Sequence, residues 1–161
     1  MRGDERVVRL LVNAGAAVDA LGGECGTPLQ AAAAGGHGGV VEPLLKAGAN
    51  ANIKHLFRLP PNAWRGNMNR LEAGVLCEAA LQAACVKGDK KTVRLLVNAG
   101  AAVDAVGGEC GTPFQAAVAG GHGGVVELLL QAGVDTNVKR PFYFSAARHK
   151  VRLGYRSHHC K

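Results

Sequence analysis

Apolar positions along this chain fall into short blocks that come back almost unchanged. The stretch from Val7 to Gly48 returns as Thr92 to Gly133 with six substitutions: Val7 to Thr92, Leu21 to Val106, Leu29 to Phe114, Ala33 to Val118, Pro43 to Leu128 and Lys46 to Gln131. A finer period lies inside each copy. Asn13-Ala14-Gly15 recurs 33 residues later at Lys46-Ala47-Gly48, and Asn98-Ala99-Gly100 recurs 33 residues later at Gln131-Ala132-Gly133. Such a period predicts a solenoid of small helical units. Each unit pairs an Ala-rich stretch with a more aliphatic one. Val125, Val126, Leu128, Leu129 and Leu130 leave little polar surface, which predicts an outer helix packed on both neighbours. Thr27-Pro28 and Thr112-Pro113 predict inner-helix starts, because Thr caps the first turn and Pro fits the first helical position. Gly36 and Gly121 are placed to end the inner helices at positive φ, and Gly48, Gly100 and Gly133 to end the outer ones.

The strings GTPLQAAAAGGHGGVVEPLLKAGANAN and GTPFQAAVAGGHGGVVELLLQAGVDTN resemble the ankyrin repeat. Thr27-Pro28-Leu29 and Thr112-Pro113-Phe114 stand where that family starts its inner helix, and Gly36-His37 and Gly121-His122 where it turns between helices. A third unit, Ala79-Ala80-Leu81-Gln82-Ala83-Ala84 with Gly88-Asp89, lacks the Thr-Pro start. Missing that hydroxyl cap costs about 1 kcal/mol. The resemblance implies an all-α solenoid of stacked antiparallel helix pairs with hairpin loops. A partial repeat is expected over 1–26, repeats over about 27–52, 72–111 and 112–138, an insertion over 53–71 and a basic, poorly ordered tail over 139–161. Where the family usually carries His, all three units have Gln: Gln30, Gln82 and Gln115. This form resembles fungal ankyrin proteins, and an amide that both donates and accepts can tie adjacent units together.

Composition agrees with stacked helices. The 161 residues are 48% hydrophobic, mainly through Ala, Val and Leu. No run of 18 apolar residues is present and the charged start MRGDER leads directly into an amphipathic stretch, so a soluble, intracellular chain is expected, in cytoplasm or nucleus. The segment from Gly3 to Val8 aligns with Gly36 to Val41, an outer helix with no inner partner before it. A piece of a longer array or a truncated gene is expected on that ground, since solenoid ends normally carry a polar cap. Cys25, Cys77 and Cys110 share one register in successive units, about 8 to 10 Å apart, too far for a disulfide or a shared zinc. His158-His159-Cys160 needs further ligands to hold a metal, and no metal or cofactor is expected.

The formal net charge of +7 is unevenly placed. The tail from Lys139 carries +7, residues 53–71 carry +4, and the repeats carry −4. The same two segments hold every aromatic except Phe114, namely Phe57, Trp64, Phe142, Tyr143, Phe144 and Tyr155. Basic residues interleaved with aromatics suit nucleic acid, an anionic membrane or an acidic partner; disordered decoration, a decayed repeat or retained noncoding sequence is the plainer reading.

The run Gly35-Gly36-His37-Gly38-Gly39 imitates a phosphate-binding loop but follows an Ala-rich helix instead of a strand. It also resembles an oxyanion-hole loop, yet no GxSxG serine is present. No catalytic constellation stands out, so no enzyme is expected. Pro43 falls within an outer helix and makes the second unit the soft one; Gly38-Gly39 and Gly123-Gly124 weaken outer helices further.

The resemblance implies a protein-interaction module that uses a concave face of hairpin tips and inner-helix ends. That face maps to Glu24, Ala34 and Gly35 in one unit, Glu78, Val86 and Lys87 in the next, and Glu109, Ala119 and Gly120 in the last, with Trp64 and Arg65 on the insertion. Nearly identical repeats also resemble those of fungal NACHT-type NTPases, which implies as an alternative the recognition end of a larger signalling protein. Nucleic-acid or anionic-membrane contact through the basic arms is a second alternative, and a truncated or non-functional gene fragment a third.

Overall fold

The computed structural model describes residues 3–22, 26–59, 75–109 and 111–138. Among them the helices run α1 (Glu5–Asn13), α2 (Pro28–Gly35), α3 (Gly38–Lys46), α4 (Ala80–Lys87), α5 (Lys90–Asn98), α6 (Pro113–Ala119) and α7 (Gly123–Gln131). Helices α2, α4 and α6 stack on one another as an inner layer, while α1, α3, α5 and α7 stack as an outer layer. Each inner helix also packs on the outer helix that follows it. The expected solenoid is present, with its core between the layers: Leu29, Val41, Leu81, Val86, Val93, Leu96 and Leu129 are all buried.

The inner helices begin as their first residues dictate. Thr27 Oγ1 accepts from Gln30 N at 3.2 Å, and Gln30 Oε1 accepts from Thr27 N at 2.8 Å, a reciprocal capping box. Thr112 and Gln115 repeat it. At α4 only half survives: Gln82 Oε1 accepts from Glu78 N and Ala79 N at 2.9 and 3.1 Å, and Ala79 has no oxygen to return. Helix α2 ends at Gly36 with φ 70° and α4 at Gly88 with φ 75°, where a left-handed residue closes the last turn.

One small sheet joins the helices. Strands β1 (Phe57–Leu59) and β2 (Val75–Cys77) pair antiparallel, Phe57 opposite Cys77 and Leu59 opposite Val75. The ribbon extends a hydrogen bond that recurs in three hairpins among the described residues. Gly22 N donates to Gly26 O at 3.1 Å, His55 N to Glu78 O at 3.0 Å, and Gly107 N to Gly111 O at 3.2 Å. Three residues separate the bonded pair in the first and last hairpins, whereas 56–77 separate it in the middle one. The insertion expected over 53–71 falls mostly within that span, and its residues 60–71 lie outside the described residues.

Two expectations change. Gly38 is more than a weak helix former: a Cβ there would lie 3.2 Å from Thr92 Oγ1, so its small size lets α3 approach α5. The apolar outer helix α7 is not covered on both sides, since Leu130 is 50% exposed and no described element follows it. At the opposite end, Val7, Leu10 and Leu11 of α1 are 50%, 69% and 54% exposed, although the corresponding Val40, Leu128 and Leu96 are 6%, 8% and 0%. Helix α1 has no buried residue, because no inner helix lies beneath it among the described residues.

Candidate functional site

Side-by-side stacking of α2, α4 and α6 sets the hairpins that lead into them in one row and their C-terminal ends in a second, about 12 Å away along the helices. Gly35 is exposed at the end of α2, and Lys87, Ala119 and Gly120 are half-buried at the ends of α4 and α6. Glu78 and Glu109, also half-buried, belong to the hairpins that lead into α4 and α6. Glu78 lies against Gly107 of the following hairpin, and the Lys87 stem lies over Gly36 of the preceding unit. Both charged side chains thus bridge neighbouring units, Lys87 through its methylene stem and Glu78 with its carboxylate end.

Two expected contact residues are withdrawn into the stack. Ala34 is 6% exposed and Val86 is 0% exposed, because inner helices cover one another there. The Val86 carbonyl is occupied as well, accepting from His122 Nε2 at 3.0 Å. Neither side chain is offered to a partner. Glu24, Trp64 and Arg65 lie outside the described residues, as do Cys25, Cys110, Cys160 and the basic tail. Cys77 is buried, and so is Cys85 in α4.

The glycine run is a helix-to-helix turn. Gly36 is the left-handed cap of α2, Gly38 opens α3, and the His37 ring rests beside Gly3 and Gly35. His122 rests in the same way against Gly88 and Gly120. Among the described residues, no three His, Cys, Asp or Glu side chains converge as a metal site. No helix there is long and apolar enough to cross a membrane.

The amides of Gln30, Gln82 and Gln115 do tie units together. Gln30 Nε2 donates to the carbonyls of Ile53 and Glu78 at 3.1 and 2.9 Å. Gln82 Nε2 faces those of Ala105, Gly107 and Gly111 at 3.3, 3.1 and 2.8 Å, and Gln115 Nε2 reaches Val138 O at 3.4 Å. A second ladder, absent from the sequence reading, runs along the hairpins. Asp19 accepts from Asn50 N at 3.0 Å, Asn52 Oδ1 from Ala102 N at 2.8 Å, and Asp104 from Asp135 N at 2.9 Å. The recurrence of Asp or Asn at one position of each unit was the available signal. On the outer surface Lys46 hydrogen-bonds Glu42 at 2.8 Å and holds its carboxyl below the usual range. That pairing is present at neutral pH and is lost as acid protonates Glu42.

Residues 1–45 and 81–130, more than half of the chain, match the family described as Ankyrin repeats (many copies). No curated protein matches the chain.

Proposed function

The chain belongs to the ankyrin-repeat family, whose members are generally protein-protein interaction modules, and we propose that this one binds a protein segment across its rows of hairpins and inner-helix ends. The observation that supports this reading is the regular side-by-side stacking of three units, which sets the hairpins bearing Glu78 and Glu109 in one row and the helix ends at Gly35, Lys87 and Gly120 in another. Rigid stacking holds these positions in fixed register, so little ordering cost falls on this side of the complex. Small residues at Gly35, Ala119 and Gly120 let a partner backbone approach closely. Charge sets the preference: Glu78 and Glu109, in neighbouring hairpins, suit basic residues of a segment lying over the hairpins, and Lys87 suits an acidic group over the helix ends.

The test is a selection from a random peptide library against the full chain, followed by titration of the selected peptides against a Glu78→Lys, Lys87→Glu, Glu109→Lys triple variant. All three side chains are half-buried and Glu78 and Lys87 touch neighbouring units, so circular dichroism accompanies the titration, with unchanged helix content expected. Loss of about tenfold or more in affinity, equivalent to about 1.4 kcal/mol, is expected. Peptides that bind both proteins equally would place recognition elsewhere.

A further inference from the structure

On the outer surface an open groove of about 460 Å³ runs between two neighbouring outer helices, with Lys90, Arg94 and Val97 of α5 on one wall and Glu127, Leu128 and Gln131 of α7 on the other. The duplication supplies a twin of this pair of helices in α1 and α3, so the charges can be compared position by position. In α1, Arg9 pairs with Glu5 at 2.6 Å, and in α3, Lys46 pairs with Glu42 at 2.8 Å. Each of those charges is matched within its own helix. In α5, however, Lys90 stands in place of Glu5, and in α7, Gln131 stands in place of Lys46. Arg94 therefore lacks the acid that Arg9 has, and Glu127 lacks the base that Glu42 has. Among the described residues Lys90, Arg94 and Glu127 form no ion pair.

Nearby charges do not make good the difference. Lys91 and Asp89 lie on the α3 side of α5, where Lys91 Cδ and Asp89 Oδ2 come within 3.6 and 3.7 Å of the point a Cβ of Gly38 would occupy. Asp89 is also engaged in capping α5, accepting from Lys91 N and Thr92 N at 3.1 and 3.2 Å. Lys90 leans the other way, its Nζ 3.5 Å from the point a Cβ of Gly124 would occupy at the start of α7. Two differences between the copies thus turn an internally paired surface into a groove with two cations on one wall and a carboxylate on the other.

We propose that the groove between α5 and α7 docks a short segment of another protein, one that turns two acidic side chains toward Lys90 and Arg94 and one basic side chain toward Glu127. Lys90 and Arg94 are four residues apart on one helix, about 6 Å along its axis, and a segment whose acids are spaced by one helical turn meets both. Val97 and Leu128 offer aliphatic surface between the charged walls. Glu127 repels a run of phosphates, so charge complementarity favours a protein segment of mixed charge over nucleic acid. None of these residues belongs to the rows at Glu78, Glu109 and Lys87, and the two readings stand or fall separately.

The probe is a random peptide library selected on the full chain and counter-selected on a Lys90→Glu, Gln131→Lys double variant, which restores the pairing of α1 and α3. Both substitutions are at exposed positions, so the unfolding midpoint of the variant should not fall; if it does, Arg94→Gln takes its place as the counter-selection target. Surviving peptides should combine a pair of acids with a base and bind with a Kd on the order of 10 to 100 μM, because the charges they meet are exposed. Titrated into the isotope-labelled full chain, they should give saturable amide shifts centred on Lys90, Arg94 and Glu127. Arg94→Gln should weaken them about tenfold and Glu127→Gln about threefold. The proposal is overturned if no peptide survives counter-selection, if the survivors are uniformly acidic or indifferent to Glu127→Gln, or if their shifts centre elsewhere. A DNA duplex that shifts the same amides at lower concentration than the peptides overturns it as well, by making phosphate the preferred occupant.

Discussion

The side chain of Gln82 is wholly buried and uses both ends of its amide. Its oxygen holds the start of α4 through Glu78 N and Ala79 N, and its nitrogen faces three carbonyls of the next hairpin. Replacement by Leu keeps the volume but strands buried donors and acceptors, each costing about 1 to 3 kcal/mol. Urea denaturation of Gln82→Leu should show a loss of about 3 kcal/mol or more. An unchanged midpoint would mean that water replaces the amide. The sequence discloses that three glutamines share one register and can bridge units. It does not disclose their acceptors, because those depend on where each hairpin carries its backbone. The Asp19, Asn52 and Asp104 ladder stayed hidden for the same reason: a short polar side chain in a turn reads as a local turn former until its neighbour is in place.

At the scale of the element, α3 carries Pro43 within its length and still runs from Gly38 to Lys46. Pro43 has no N–H to donate one turn back, to Gly39, and it is half-buried where the corresponding Leu128 of α7 is 8% exposed. Pro43→Leu should stabilise the chain by up to about 3 kcal/mol, seen as a higher midpoint in thermal or urea unfolding. No change would mean that α3 has already adapted its backbone to the ring. Helix positions were legible because Thr-Pro starts and Gly stops bracket each inner helix. The ribbon of β1 and β2 was not, because Phe57–Leu59 and Val75–Cys77 become strands through each other. Recognition of the same hairpin bond in all three units required coordinates. The withdrawal of Ala34 and Val86 from the expected face has a related cause: the end of a short inner helix is still inside the stack, and register alone does not distinguish its last covered residue from its first exposed one.

Across the whole molecule, stability should be graded along the stack. Every residue of α4 from Ala80 to Val86 is buried, with inner helices on both sides, whereas α1 has no buried residue. In a solenoid each unit is held mainly by its neighbours. Hydrogen exchange should therefore be slowest in α4 and α5 and fastest in α1, with α7 between them. Uniform protection would instead indicate one cooperative unit.

The middle position of α4 has one more consequence. It receives α2 on one side and α6 on the other, and those two helices differ at only two positions along PLQAAAA and PFQAAVA. Nothing in their own surfaces strongly instructs either helix which side of α4 to choose; the order of the chain decides. During refolding the same pairing rules can be met between molecules, α6 of one taking the place of α2 in another. The internal duplication that makes this architecture easy to build thus also makes it easy to build across chains, and crowded refolding is where that ambiguity comes to matter.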